Sequence, residues 1–120
     1  MSRAAVPYMT DGGVIVNISS FGAREPSASF PVSSVIRAGL SAFTSLFAKE
    51  YGDRNIRMIN LLPGYFETYP IDNNVADSIP LGRAGTLEEI AGTVAFLCSP
   101  EAGYISGTDI TVDCGMITAI

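Results

Sequence analysis

The chain has 120 residues, of which 48% are hydrophobic and 16% charged, with a net charge of −5. That is long enough for one domain around one core and too apolar for a disordered chain. The acidic balance argues against nucleic acid as a partner, because phosphate contacts need clustered Lys and Arg. The absence of histidine removes Ser-His-Asp, Cys-His and His-metal chemistry. Cys98 and Cys114 stand apart with no second pair, so no metal site and two free thiols are expected. No apolar run approaches the ~20 residues of a membrane helix. The start, Met1-Ser2-Arg3-Ala4-Ala5, lacks the apolar stretch of a secretory leader. A cytoplasmic location follows as the expectation.

Taken in order, Ser2 to Met9 reads as the tail of a helix ended near Pro7, and Thr10-Asp11-Gly12-Gly13 as a turn. Val14 to Ile18 is an almost continuous apolar run rich in β-branched residues, the pattern of a parallel strand covered on both faces. It ends in Ser19 and Ser20. Phe21 to Ser29 is a loop. Pro31 suits the first turn of a helix running to about Tyr51 and stopped by Gly52. Ile36, Leu40, Phe43 and Phe47 form its apolar stripe, with Ser41, Ser45 and Lys49 opposite. Its small residues, Ala38, Gly39, Ala42 and Ala48 among them, suit burial between the sheet and a second helix.

Ile56 to Leu62 reads as a second strand, closed by Pro63-Gly64. Tyr65 to Pro80 is aromatic and irregular, with a short helix over Asn73 to Ser78. Thr86-Leu87-Glu88-Glu89 is a capping box, and the helix it opens carries Ile90, Val94 and Leu97 on one face until Ser99-Pro100. A third strand spans Asp109 to Asp113. Strand, helix, strand, helix, strand, with long crossovers, gives an α/β fold with a parallel sheet in one domain. In such sheets the chemistry sits beyond the carboxyl ends of the strands, which directs attention to Ser20 and the start of the helix after it.

The order of elements names no reaction, but the words in it do. Val16-Asn17-Ile18-Ser19-Ser20, Ala38-Gly39-Leu40, Ile56-Arg57-Met58-Ile59-Asn60, Pro63-Gly64, Pro80-Leu81-Gly82-Arg83, Glu88-Glu89-Ile90-Ala91 and Tyr104-Ile105-Ser106-Gly107 followed by Val112-Asp113 occur in one register. Together they closely resemble the C-terminal half of the short-chain dehydrogenase/reductase family, over essentially the whole chain. The resemblance implies a Rossmann-type sheet, here its last three strands with flanking helices. It implies hydride transfer between NAD or NADP and a small carbonyl or alcohol. It also implies a homo-oligomer, dimer or tetramer, built through the 33–51 helix and the C-terminal strand. The family's Gly-rich phosphate loop and its N-terminal dinucleotide-binding half are not found within residues 1–120. An inert half-domain acting as an interaction module is the rival expectation.

In the family a strand-end serine bonds the substrate carbonyl, a tyrosine transfers the proton, and a lysine four residues on holds the nicotinamide ribose. Ser20 matches the serine, the tyrosine position falls on Ser33, and the lysine position falls on Arg37, directly before Ala38-Gly39-Leu40. Ser33 and Arg37 are one helical turn apart, so their side chains can meet. Arg37 keeps the charge in a planar fork rather than a compact ammonium. Ser33 is a far weaker acid than a phenol with its pKa near 10. The proton then comes from Tyr65 or Tyr69, or from a water held by Ser20, Ser33 and Arg37, or the site only binds. Pro63, Gly64, Tyr65, Phe66 and Thr68 match the family's Pro-Gly-x-x-x-Thr, whose backbone and threonine hydroxyl meet the nicotinamide carboxamide. The 65–79 segment corresponds to the substrate lid. Cys114 takes a position where the family usually has glycine, and is expected to be small and buried.

Overall fold

The computed structural model describes residues 1–119. Its centre is a parallel sheet of β1 (Gly13–Ile18), β2 (Ile56–Pro63) and β3 (Thr108–Val112), in that order across the sheet. The strands fall where apolar, β-branched runs are flanked by turn residues. Helices α1 (Ser2–Ala5), α2 (Pro31–Tyr51), α3 (Asn73–Ser78) and α4 (Leu87–Cys98) complete it. Proline opens α2 at its first position, where its missing N–H costs nothing. Thr86 and Glu89 form the expected reciprocal cap on α4. The chain does not reverse at Gly52, whose φ is −64°. A single 3-10 turn follows α2, and Asn55, at φ 55°, is the left-handed residue that releases the chain into β2.

Alternation along the strands sends neighbouring side chains to opposite faces. Ile15 and Met58 pack with Phe43, Phe47 and Tyr51 of α2. Val14, Val16, Ile59 and Leu61 pack with Ile90, Val94 and Leu97 of α4. The sheet is therefore sandwiched between two helices. Phe47, Ile56, Met58, Ile59, Leu61 and Leu97 are fully buried, each contributing about 1.5–3 kcal/mol.

The orientation of α2 corrects the apolar stripe expected from its sequence. Phe43 and Phe47 do face the core, but Ile36 is 67% exposed, with Val32, Val35 and Leu46 outward as well. The helix meets the sheet partly through polar residues, and Ser34 and Thr44 are buried. The reason is in the strands. Asn17, Asn60 and Asp109 are register partners on adjacent strands, and Asn60 is fully buried. Asn60 Oδ1 accepts from Asn17 Nδ2 at 3.0 Å and from Thr44 Oγ1 at 2.9 Å, while its Nδ2 donates to Asp109 Oδ1 at 2.8 Å. A buried amide needs such partners, so α2 turns a threonine rather than a methyl group toward it. No helix is long and apolar enough to cross a membrane among the described residues.

Candidate active site

The carboxyl end of β1 delivers Ser19 and Ser20. Ser19 N–H donates to Leu61 O at 2.8 Å, continuing the ladder, and its hydroxyl is buried with no partner among the described residues. Ser20 is extended (φ −163°, ψ 155°) and caps the 3-10 turn Phe21–Ala23, accepting from Gly22 N–H at 3.3 Å. Its own O–H donates to nothing among the described residues. Gly22 is buried where a Cβ would lie 2.9 Å from the Phe30 ring and 3.5 Å from Ser34 Oγ. Ser34 fixes the loop from below: Ser27 N–H donates to its Oγ at 3.3 Å, and the hydroxyl donates to Phe30 O at 3.1 Å.

On the first turns of α2, Arg37 Nε–H donates to Ser33 Oγ at 3.0 Å. The helical spacing brings the pair together as expected. Ser20 forms no hydrogen bond with either. The other arginines are committed elsewhere. Arg3, Arg24 and Arg83 pair with Glu50, Asp109 and Glu89. Arg54 and Arg57 bond backbone carbonyls. Arg37 has only a neutral hydroxyl, and both its Nη groups lack a protein acceptor among the described residues. A half-buried guanidinium with most of its five donors unused is ready for an external acceptor.

The Pro63-Gly64 turn ends β2 beside the end of β3. Gly64 N–H donates to Val112 O at 3.0 Å. A Cβ at Gly64 would lie 2.8 Å from Asp113 Cβ and 2.9 Å from its Cα. The glycine is thus required by packing inside the fold, whatever else approaches it. The N–H groups of Tyr65 and Phe66 donate to nothing among the described residues, and neither does the exposed Thr68 hydroxyl. Phe66 is held by a bridge to Gly85, whose absent side chain admits its ring. Tyr65 and Phe30 both contact the Phe21 ring, each at a 5.9 Å centroid separation. This aromatic row joins the loop after β1 to the turn after β2. Tyr69 is exposed. A cavity of about 300 Å³ opens between Tyr65, Phe66, Leu81, Thr93 and Val112, but Ser20, Ser33 and Arg37 do not line it.

At its rim Arg83 holds Glu89 through two bonds of 2.8 and 3.0 Å. That pairing, with the Thr86 backbone N–H, lowers the Glu89 pKa to about 2. Cys114 corrects its expectation: it is exposed and left-handed, at φ 61°, a conformation that favours glycine.

A family profile described as enoyl-(acyl carrier protein) reductase matches residues 1–117. The chain belongs to the short-chain dehydrogenase/reductase family. It is 40% identical over 111 residues to the 3-oxoacyl-(acyl-carrier-protein) reductase FabG of Chlamydia pneumoniae, covering 87% of this chain and 45% of that protein. Its structure matches a short-chain dehydrogenase/reductase of Serratia marcescens with a TM-score of 0.88 and 34% identity, over 96% of this chain and 50% of that one. A 3-ketoacyl-(acyl-carrier-protein) reductase from Brucella melitensis, solved with NADH, matches with a TM-score of 0.88 and 30% identity, over 97% and 52% of the two chains. The chain spans about half the length of the curated relatives it matches.

Asn60, Asp109 and Thr44 form a network across the strands and onto α2, and Ser34 holds the loop after Ser20; spacing alone makes none of them a candidate. The available signal was an asparagine interrupting each of two apolar strand runs, at Asn17 and Asn60. A polar residue there requires a partner.

Proposed function

We propose that these residues form the C-terminal half of one Rossmann-type domain of a cytoplasmic oxidoreductase that moves hydride between NAD or NADP and a small carbonyl or alcohol. The observation carrying this is the Arg37–Ser33 pair, bonded at 3.0 Å at the start of α2 and with no other side-chain partner among the described residues. Arg37 would hold the nicotinamide ribose hydroxyls, and the free N–H groups of Tyr65 and Phe66, with Thr68, suit the carboxamide. Bound there, the nucleotide supplies the hydride donor or acceptor.

Ser33 accepts from Arg37, which leaves its O–H to donate, as Ser20 also does. Two hydroxyl donors polarise a carbonyl oxygen but do not act as acids. An adjacent cation lowers a pKa by about 1–3 units, too little to bring an alkanol near neutrality. The proton therefore reaches the oxygen from water ordered by Ser20, Ser33 and Arg37. Tyr65 is tied into the aromatic row with Phe21 and Tyr69 is exposed, which favours water over either phenol.

The outward Val32, Val35, Ile36 and Leu46 of α2 support a homo-oligomer through this helix, with the C-terminal strand as a second contact. The same apolar face favours the alternative of an inert module that docks on a complete relative. The test is the double change Ser33→Tyr with Arg37→Lys in the gene product at its natural length. Restoring a phenol and an ammonium raises carbonyl reduction under the water-mediated reading. A fall in turnover means the native pair has a mechanism of its own. Turnover absent before and after the change supports the module.

A further inference from the structure

Two carboxylates hold the last described residues. Asp113, just after β3, accepts from Gly115 N–H at 2.9 Å through Oδ1 and from Ile117 N–H at 2.9 Å through Oδ2. Glu25, in the loop after β1, accepts from Thr118 N–H at 2.8 Å, from Ala119 N–H at 3.3 Å and from the Thr118 hydroxyl at 3.5 Å, all through Oε2. These anchors flank the candidate site. Asp113 packs directly on Gly64. Glu25 stands in the loop that starts at Ser20. Residues 114–119 therefore bridge the Pro63-Gly64 turn and the Ser20 loop.

The loop is moored twice at adjacent residues. The Arg24 guanidinium lies 3.8 Å from the Asp109 carboxylate, which already accepts from Asn60, itself bonded to Asn17. Side-chain contacts thus run from β1 across β2 and β3 and return to the loop that β1 feeds. Glu25 adds the second mooring, to the segment that follows β3. Ordering a loop costs backbone entropy, and charge-assisted bonds offset it more strongly than neutral ones.

We infer that Gly115–Ala119 is a strap, with Glu25 as its latch, and that its engagement sets the order of the loop carrying Ser20. Glu25 is a positioning residue: it acts on Ser20 through the Phe21–Arg24 backbone and touches no reacting atom. Anything that draws the strap from Glu25 loosens that loop. Its consequence for turnover rests on the hydride-transfer reading, whereas the coupling itself does not.

Amide hydrogen exchange of the full chain tests it with two variants. Glu25→Gln keeps an acceptor and loses the charge. Thr118→Pro deletes the N–H that donates at 2.8 Å. Gly22, Ala23 and Arg24 amides report on the loop, since they donate to Ser20 Oγ, Ser20 O and Phe21 O. Either variant is expected to speed their exchange about tenfold, on the scale of one lost charge-assisted bond. The double variant should add little, because both changes break one contact. The β2 amides should hold their protection. Unchanged exchange at residues 22–24 in both variants overturns the inference. So does equal loosening of β2, which would make the contact a general support of the fold. Titrating the same samples with NADH and NADPH separates the two claims. A loop that loosens as expected, in a protein that binds neither nucleotide, upholds the strap and sinks the hydride-transfer reading.

Discussion

Asn60→Ala is the most informative perturbation of the fold. The side chain is 0% exposed and makes three bonds, to Asn17, Thr44 and Asp109, of 3.0, 2.9 and 2.8 Å. A neutral bond contributes about 0.5–1.5 kcal/mol net and one to a charged group about 1.5–3 kcal/mol. Truncation also strands the fully buried Thr44 hydroxyl and removes a donor from the Asp109 carboxylate. Partial relaxation recovers some of this, so the expected loss is about 3–5 kcal/mol. Against a typical total of about 5–15 kcal/mol, that is a large fraction. Urea unfolding followed by far-ultraviolet circular dichroism measures it as a lower midpoint at unchanged slope. A double-mutant cycle with Thr44→Val should return a coupling of about 1 kcal/mol. A loss below about 1 kcal/mol for Asn60→Ala would mean that the ladder does not hold the sheet, and the explanation given for the orientation of α2 would fail with it.

Other outcomes follow from single contacts. Gly64→Ala forces a Cβ to within 2.8 Å of Asp113 Cβ. It should cost about 1–3 kcal/mol, as overpacking does, and a neutral result in the same urea assay would show that the two strand ends separate easily. Glu89 has its pKa lowered to about 2, first by the Arg83 side-chain bond and then by the Thr86 backbone N–H. A depressed carboxylate stabilises the fold above its unfolded pKa, and that contribution is lost as pH falls from about 4.5 toward 2. The Glu89 carboxyl carbon, followed by NMR, should titrate near the lower value; a midpoint in the ordinary carboxylate range would show that the Arg83 pair is not formed in solution.

Local signals were readable from sequence because their causes are local. Pro31 opening α2, the Thr86–Glu89 box, the Asn73–Ser78 turn of helix and the three strand cores all lie where residue type and spacing placed them. The Ser33–Arg37 contact was readable for the same reason, since four residues make one helical turn. The facing of α2 was not. Its apolar stripe competes with two asparagines on the sheet, and only the register of β1 against β2 aligns Asn17 with Asn60. The Gly64–Asp113 packing and the Glu25–Thr118 bond join residues 49 and 93 positions apart, and no spacing rule reaches that far. Cys114 was misread because side-chain size suggested burial, whereas its backbone conformation is what matters there.

Arg37 and the turn after Gly64 are proposed to receive a nicotinamide nucleotide. Fluorescence titration of the gene product that carries these residues, at its natural length, with NADH and NADPH tests this proposal most directly. Saturable binding of one or both is expected, weakened about tenfold or more by Arg37→Gln through the loss of charged hydrogen bonds. Saturable binding that Arg37→Gln leaves unchanged, or no binding of either nucleotide, would contradict it.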